Sequence, residues 1–185
     1  MASKYSMNDR PSWPRRAIVT AGEPYGNKGL HFGHVGGVFV PADFFARFLR
    51  DRLGRENVIF TSGTDCYGSP IMESYRKLKE NEGYDKSISE YVESHHSRQA
   101  ATLNNYNISC DIYGGSGLEP AAQIHNEVTA EIIERLHEQG TISKRSTLQF
   151  YDAKAGTFLN GRQVIGRCPI QGCKSEKAYA DECDL

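Results

Sequence analysis

With 185 residues the chain is long enough for one domain with a sizeable core, or for one domain plus a small appendage. Lys and Arg total 22 against 23 Asp and Glu, so no bulk field draws the chain to nucleic acid or an anionic membrane; such a partner needs a local basic patch or a further segment. No apolar run is long enough to span a bilayer, and the polar opening over residues 1–15 lacks the apolar stretch of a secretory signal, which predicts a flexible arm on a cytoplasmic protein.

The run AIVTAG, Ala17 to Gly22, is short, apolar and partly β-branched, and predicts a buried strand. After a glycine-rich stretch, PADFFARFLRDRLG places Phe45, Leu49 and Leu53 at fourfold spacing with Phe48 beside them. That pattern predicts an amphipathic helix stopped at Gly54. The strand signal returns at Val58 to Thr61, followed by helical stretches from Ile71 to Lys79 and from Ser87 to about Asn105. A further helix carries Ile124, Val128, Ile132 and Leu136 on one stripe and stops at Gly140. Strands alternating with helices predict an α/β domain with a mainly parallel sheet over residues 16–140. From 141 to 185 the texture changes to short β-like pieces, glycines and cysteines, which predicts a small separate module.

The glycine-rich stretch is GEPYGNKGLHFGHVGG, Gly22 to Gly37. It follows the first strand, where ligands gather beyond the carboxyl ends of a parallel sheet. Glycines let the backbone approach a phosphate or sugar, and a helix beginning near His34 aims its N–H groups at an anion. His31 and His34, three apart, share one face of that turn and can donate hydrogen bonds to phosphate oxygens. Neither a Walker A loop nor the dinucleotide G-x-G-x-x-G is present.

In order, the strand, Pro24-Tyr25-x-Asn27, His31-Phe32-Gly33-His34 and the amphipathic helix resemble the first signature of class I aminoacyl-tRNA synthetases. ADFFARFLRDRLGRENVIFTSGTDCYG, with its Thr64-Asp65-x-x-Gly68 turn, resembles the methionyl-tRNA synthetase family more narrowly. So does Leu136 to Pro169, which is similar to the lead-in to that family's connective-peptide insertion. The resemblance implies the first half of a class I Rossmann-type (HUP-like) parallel sheet followed by the start of a zinc-knuckle insertion. It implies that His31 and His34 are catalytic, stabilising the phosphates of ATP, which binds with Mg2+, as a methionine carboxylate attacks the α-phosphorus. Tyr25, Asn27 and Gly33 join them as ATP-binding residues, while Glu23, Tyr25 and Asp65 bind the amino acid, Asp65 pairing with its ammonium. Read without the family, Asp65 is better taken as an Asx turn after a strand. Glu23 stands where the family usually has an apolar residue, and Cys66 and Tyr67 also depart from its pattern. A carboxylate beside a thioether pocket costs desolvation energy unless paired.

Five cysteines, an odd number, suit reduced thiols better than a disulfide framework. Cys168, Cys173 and Cys183 have spacings that suit structural zinc, and the resemblance implies a zinc knuckle at this place. A fourth ligand is expected past the last residue, leaving a partial knuckle here. Ile142 to Ser146, ISKRS, looks like the family's second signature but lies in the lead-in to the insertion, and is not read as the catalytic lysine loop. That loop and the anticodon-binding domain are expected elsewhere, so that tRNA(Met) binds through other regions. The 185 residues alone are then expected to be inactive, and marginally stable or self-associating through an exposed sheet face and edge. The competing readings are a non-catalytic or split-subunit paralogue that binds ATP or zinc, and another amino acid ligase or adenylyltransferase with an H-x-G-H motif.

Overall fold

The computed structural model describes residues 14–180 and Cys183, so most of the arm expected over residues 1–15 lies outside the described residues. The chain divides into two compact units, one up to Asn126 and one from Glu127 onward.

In the first unit, β1 (Ala17–Thr20), β2 (Val58–Thr64) and β3 (Ile112–Gly115) form a wholly parallel sheet in the order β1-β2-β3. β2 runs to Thr64, three residues beyond the stretch the β-branched pattern marks, because Ser62, Gly63 and Thr64 pair with Tyr113, Gly114 and Gly115. Period-two alternation sends Val19, Val58 and Phe60 to one face, where they join Phe39, Ala46, Leu49, Leu103 and Ile108 in the main core. Phe39 and Phe60 are wholly buried, and each contributes about 2–3 kcal/mol by leaving water. The opposite face carries Ile18, Ile59 and Ile112, which are 71%, 45% and 56% exposed. The expected uncovered apolar sheet face is therefore present, and β1 and β3 are its two edges among the described residues.

The helical run after β1 is unbroken from Phe32 to Leu53: α1 (Phe32–His34), a π-helical turn (Val35–Phe39) and α2 (Val40–Leu53). Pro41 accounts for the wide turn. It has no N–H to give to a carbonyl four residues back, and its ring would crowd that carbonyl; the π turn opens the ladder there, with Val40 N–H bonding Val35 O. The buried face of α2 is Asp43, Ala46 and Leu49, whereas Phe45 is 51% exposed, against the expected Phe45–Leu49–Leu53 stripe. Polar contacts to Ser109 and Asp111 decide this register. Asp43 binds Arg47 at 2.7 Å and the Ser109 N–H at 2.7 Å, and Arg50, beside Leu49, binds Asp111 at 2.7 Å, so these partners offset the desolvation of the charged groups on the inner face. Asp111 also takes the Phe60 N–H at 2.7 Å and gives its own N–H to Phe60 O, aligning β3 on β2. The helix stops at Gly54, whose φ of +92° a side chain would strain.

α3 (Ser69–Glu82) and α4 (Ile88–Asn105) pack on each other through Ile71, Tyr91 and Val92. α4 begins where the sequence places it, since Ser87 and Glu90 close a capping box. α5 (Ala121–Glu138) spans the helix expected before Gly140, but its stripe is uncovered: Ile124, Val128 and Ile132 are 62%, 46% and 52% exposed, and Ala122 is its one buried residue among those described. Periodicity marks the apolar side of a helix without saying what covers it.

In the second unit, β4 (Tyr151–Asp152) pairs antiparallel with β5 (Thr157–Phe158), and β6 (Ile165–Gly166) with β7 (Ala178–Tyr179). These are the short β pieces the sequence suggests. No helix among the described residues is long and apolar enough to cross a membrane.

Candidate active site and cysteine cluster

The helical run opens at Phe32 rather than near His34, and His31 is its N-cap. His31 Nδ1 accepts the Gly33 N–H at 3.1 Å, and His34 Nδ1 accepts the His31 N–H at 3.2 Å, a reciprocal capping box built from two imidazoles. Each ring thus spends Nδ1 as an acceptor, so the neutral ring carries its proton on Nε2. Both Nε2–H groups remain as donors. Burial lowers the pKa of His34, with His31 and the Lys28 cation adding to the effect, so neutral imidazole is favoured.

His34 lines a concavity of about 260 Å3 with Glu23, Pro24, Tyr25, Lys28, Val38 and Phe39. It collects Glu23, Tyr25 and His34 from the residues the sequence singles out. His31 is not among the lining residues. Lys28 joins them without having been singled out; a cation beside the His34 donor suits a phosphate, and its place inside Pro24-Tyr25-x-Asn27-Lys28 is the signal that could have found it. Asn27 turns the other way, its Nδ2 donating to Pro70 O at 3.2 Å and Ser74 Oγ at 3.1 Å, against α3.

Asp65 follows β2 and forms an isolated parallel bridge with Tyr25: Gly26 N–H bonds Asp65 O at 2.8 Å and Asp65 N–H bonds Pro24 O at 3.0 Å. The ladder brings two residues forty positions apart to one end of the sheet. Asp65 Oδ1 accepts the Tyr67 N–H at 3.0 Å, the Asx turn expected at such a site, and Oδ2 remains to meet a cation. A Cβ on Gly26 would lie 2.8 Å from Val92 Cγ1 and 3.1 Å from Thr64 Cγ2, so the loop can press this close to the sheet only with glycine there. Beside the turn, a mostly apolar cavity of about 290 Å3 is lined by Cys66, Tyr67, Ile71, Met72, Val92 and Leu118. Two of its lining residues, Cys66 and Tyr67, are the ones that depart from the expected turn.

Beneath the loop lies a polar network that the sequence does not announce. Thr64 and Gln99 are wholly buried, Thr64 Oγ1 is 2.8 Å from Gln99 Oε1 and 2.8 Å from His96 Nδ1, and Tyr113 Oη is 3.0 Å from Gln99 Oε1. Burial pushes the Tyr113 hydroxyl up to about 12 and lowers the pKa of His96, so both stay neutral near pH 7. A glutamine on the apolar stripe of Val92 and Leu103 is the one sequence signal that could have found it.

In the second unit the sulfurs of Cys168, Cys173 and Cys183 all lie within 4.8 Å of one another, and Cys173 and Cys183 Sγ are 3.7 Å apart. Sulfurs about 2.3 Å from one tetrahedral zinc stand about 3.8 Å from each other. The donor set and spacing therefore fit a thiolate metal. The Cys168–Cys173 turn is closed by Cys173 N–H to Ile170 O and by Cys168 N–H to Ser175 O. A backbone hydrogen bond at Ile170 favours the Cys168 thiolate, but burial and the two neighbouring thiols outweigh it and push its pKa up. A bound cation would reverse that balance.

Comparison with known proteins agrees with this geometry. The family model "tRNA synthetases class I (M)" matches residues 17–185. A methionine--tRNA ligase of Cytophaga hutchinsonii is 37% identical over 171 residues, 92% of this chain and 23% of that relative. Methionine--tRNA ligases of Pyrococcus abyssi and Chlorobaculum tepidum are 37% and 34% identical, each over 92% of this chain and 22% of the relative. The chain spans about a quarter of the length of these relatives and matches their N-terminal part. An H-x-G-H turn capping a helix beyond a parallel sheet, a T-D-x-x-G turn bridged to Tyr25 in the loop before it, and a family model that covers everything from Ala17 onward have one reading: the chain belongs to the class I tRNA synthetases of the methionine type.

Proposed function

We propose that this chain supplies the ATP- and methionine-binding half of a cytoplasmic methionine--tRNA ligase. Residues 16–140 are then the first half of its class I Rossmann-type domain and 141–185 the start of its connective-peptide insertion. The observation that carries the reading is the reciprocal capping of His31 and His34, which leaves two Nε2–H donors at the carboxyl end of the sheet. The carboxylate of methionine attacks the α-phosphorus of Mg2+-bound ATP, a P–O bond forms, and pyrophosphate leaves with the electrons of the bond broken. Both imidazoles and Lys28 stabilise the charge that builds on the phosphate oxygens, and no protein nucleophile takes part. Asp65 Oδ2 holds the substrate ammonium, with Tyr25 and Glu23 beside it. Cys168, Cys173 and Cys183 hold zinc in a structural role. Transfer to tRNA(Met) involves parts of the enzyme beyond these residues, and Lys144 in ISKRS belongs to the lead-in, not to the signature lysine loop. A non-catalytic paralogue or a different adenylyltransferase is not favoured, since the relatives matched are methionine ligases.

The test is methionine-dependent exchange of pyrophosphate into ATP by the protein expressed in full from its gene. Exchange is expected with methionine and not with leucine, isoleucine or valine. Exchange driven better by another amino acid would overturn the substrate, and no exchange with any amino acid would overturn the activity.

A further inference from the structure

Gln99 is a wholly buried amide that spends both donors on the loop carrying the proposed substrate-binding residues and both acceptor sites on hydroxyls of the sheet. Its Nε2 donates to Tyr25 O and to Lys28 O, each at 2.9 Å. Its Oε1 accepts from Thr64 Oγ1 at 2.8 Å and from Tyr113 Oη at 3.0 Å. Two donors and two lone pairs are all an amide has. The amide orientation follows from its partners: two carbonyl oxygens can meet only the nitrogen, and two hydroxyls then meet the oxygen. Thr64 has one proton, and it goes to Gln99; His96 Nδ1, 2.8 Å away, must therefore donate to Thr64. The His96 ring stacks on Tyr113 at 5.3 Å, which braces both hydroxyls from the far side.

No residue with other chemistry reproduces this. The loop carbonyls of Tyr25 and Lys28 point into the protein, where buried carbonyls need donors. Tyr91 Oη meets the intervening carbonyl, Asn27 O, at 3.1 Å, so three carbonyls in four residues are taken by α4. The carbonyl of Tyr25 is held by α4 while its strand-like bridge to Asp65 holds the other side. Carbonyls fixed inward leave the Tyr25 and Lys28 side chains on the outer side, where they line the concavity with His34.

We infer that Gln99 is a positioning residue for the site: by reading the Tyr25 and Lys28 carbonyls together it sets the loop that places Tyr25, Lys28 and the His31 cap. The inference rests on the proposed ligase reading for its kinetic arm alone. Gln99→Glu keeps the size and both acceptor contacts but faces two carbonyls with no donor, and Gln99→Met keeps the approximate shape with no polar group.

In the protein expressed in full, both variants are expected to lower kcat for pyrophosphate exchange by about tenfold or more, with KM for ATP changed by less than about threefold. Amide hydrogen exchange over residues 24–31 should quicken by about tenfold or more while α2 and the sheet keep their protection. As the pH falls, Gln99→Glu should regain activity relative to the parent, since a protonated carboxyl can donate to one carbonyl; Gln99→Met should not. Unchanged loop exchange with kcat within twofold of the parent would overturn the inference. So would uniform loss of protection, or failure of both variants to fold, since Gln99 would then be a general core residue. If the parent shows no exchange with any amino acid, the ligase reading falls, and the loop's hydrogen exchange still decides the role of Gln99.

Discussion

The imidazoles of His31 and His34 lie against each other, ring centroids 3.8 Å apart, each taking a backbone N–H on Nδ1. The same nitrogens that cap the helix are therefore unavailable to a ligand, and in the proposed reaction the opposite nitrogens are the ones that meet the phosphates. Nitrogen-15 NMR of labelled protein should find both rings as the Nε2–H tautomer at pH 8. Because the pKa of His34 is lowered in the fold, the unfolded chain binds its proton first as pH falls. Stability from this residue is present above its ordinary value of 6.5 and is lost as pH falls below that value toward the lowered folded pKa. His34→Asn should flatten this limb of the stability profile, and should cost about 2–4 kcal/mol of transition-state stabilisation in pyrophosphate exchange. A His34 found as the Nδ1–H tautomer would contradict the capping assignment.

Asp65 combines an Asx turn with the proposed ammonium partner, and one substitution separates the two. Asp65→Asn keeps an oxygen for the Tyr67 N–H but removes the charge. The requirement for methionine should rise by about 1.5–3 kcal/mol in kcat/KM while ATP affinity stays near that of the parent. Equal weakening for both substrates in calorimetric titrations would show instead that the turn had collapsed.

The three clustered thiols should carry metal. Protein expressed in full and purified without chelator should contain zinc by mass spectrometry, and Cys168→Ser or Cys173→Ser should lower that content. Removing the metal should expose the β6–β7 hairpin to proteolysis while leaving the parallel sheet protected, because the thiols lie in the second unit. Zinc content unchanged in both variants would sink the assignment.

Asp111 joins α2 to the sheet, and its carboxyl is held down at about 2 chiefly by the hydrogen bond from Arg55, with the Phe60 N–H and Arg50 assisting. Its folded value lies below the ordinary 3.8, so its contribution is complete above that pH and is lost as pH falls toward 2. Asp111→Asn leaves the Arg50 guanidinium, 8% exposed, without its counter-charge, and should destabilise by about 3 kcal/mol in urea unfolding at pH 7. The variant should also lose part of the acid limb; the remainder belongs to pairs such as Glu73 with Arg76, where the carboxyl is likewise held at about 2.

Short-range chemistry made much of this protein legible from its residues alone. Ser87 and Glu90 are a capping box at three-residue spacing, Gly54 and Gly140 end helices by taking positive φ, and β-branched runs mark β1 and the start of β2. His31 and His34 share a turn because three residues separate them, and Cys168 and Cys173 share one for a similar reason. Each of these follows from interactions within a few residues, which sequence spacing encodes directly. The tertiary structure decided the rest. Tyr25 and Asp65 meet only because two strands pair in parallel, and Gln99 reaches the same loop from seventy-odd residues away. The register of α2 was settled by the hydrogen bond of Asp43 to Ser109 and the ion pair of Arg50 with Asp111, which turned Phe45 outward against the hydrophobic pattern. Spacing along a chain carries no measure of which distant carbonyl, hydroxyl or charge a buried polar side chain will find, and such a side chain is tolerated in a core only where that partner is found.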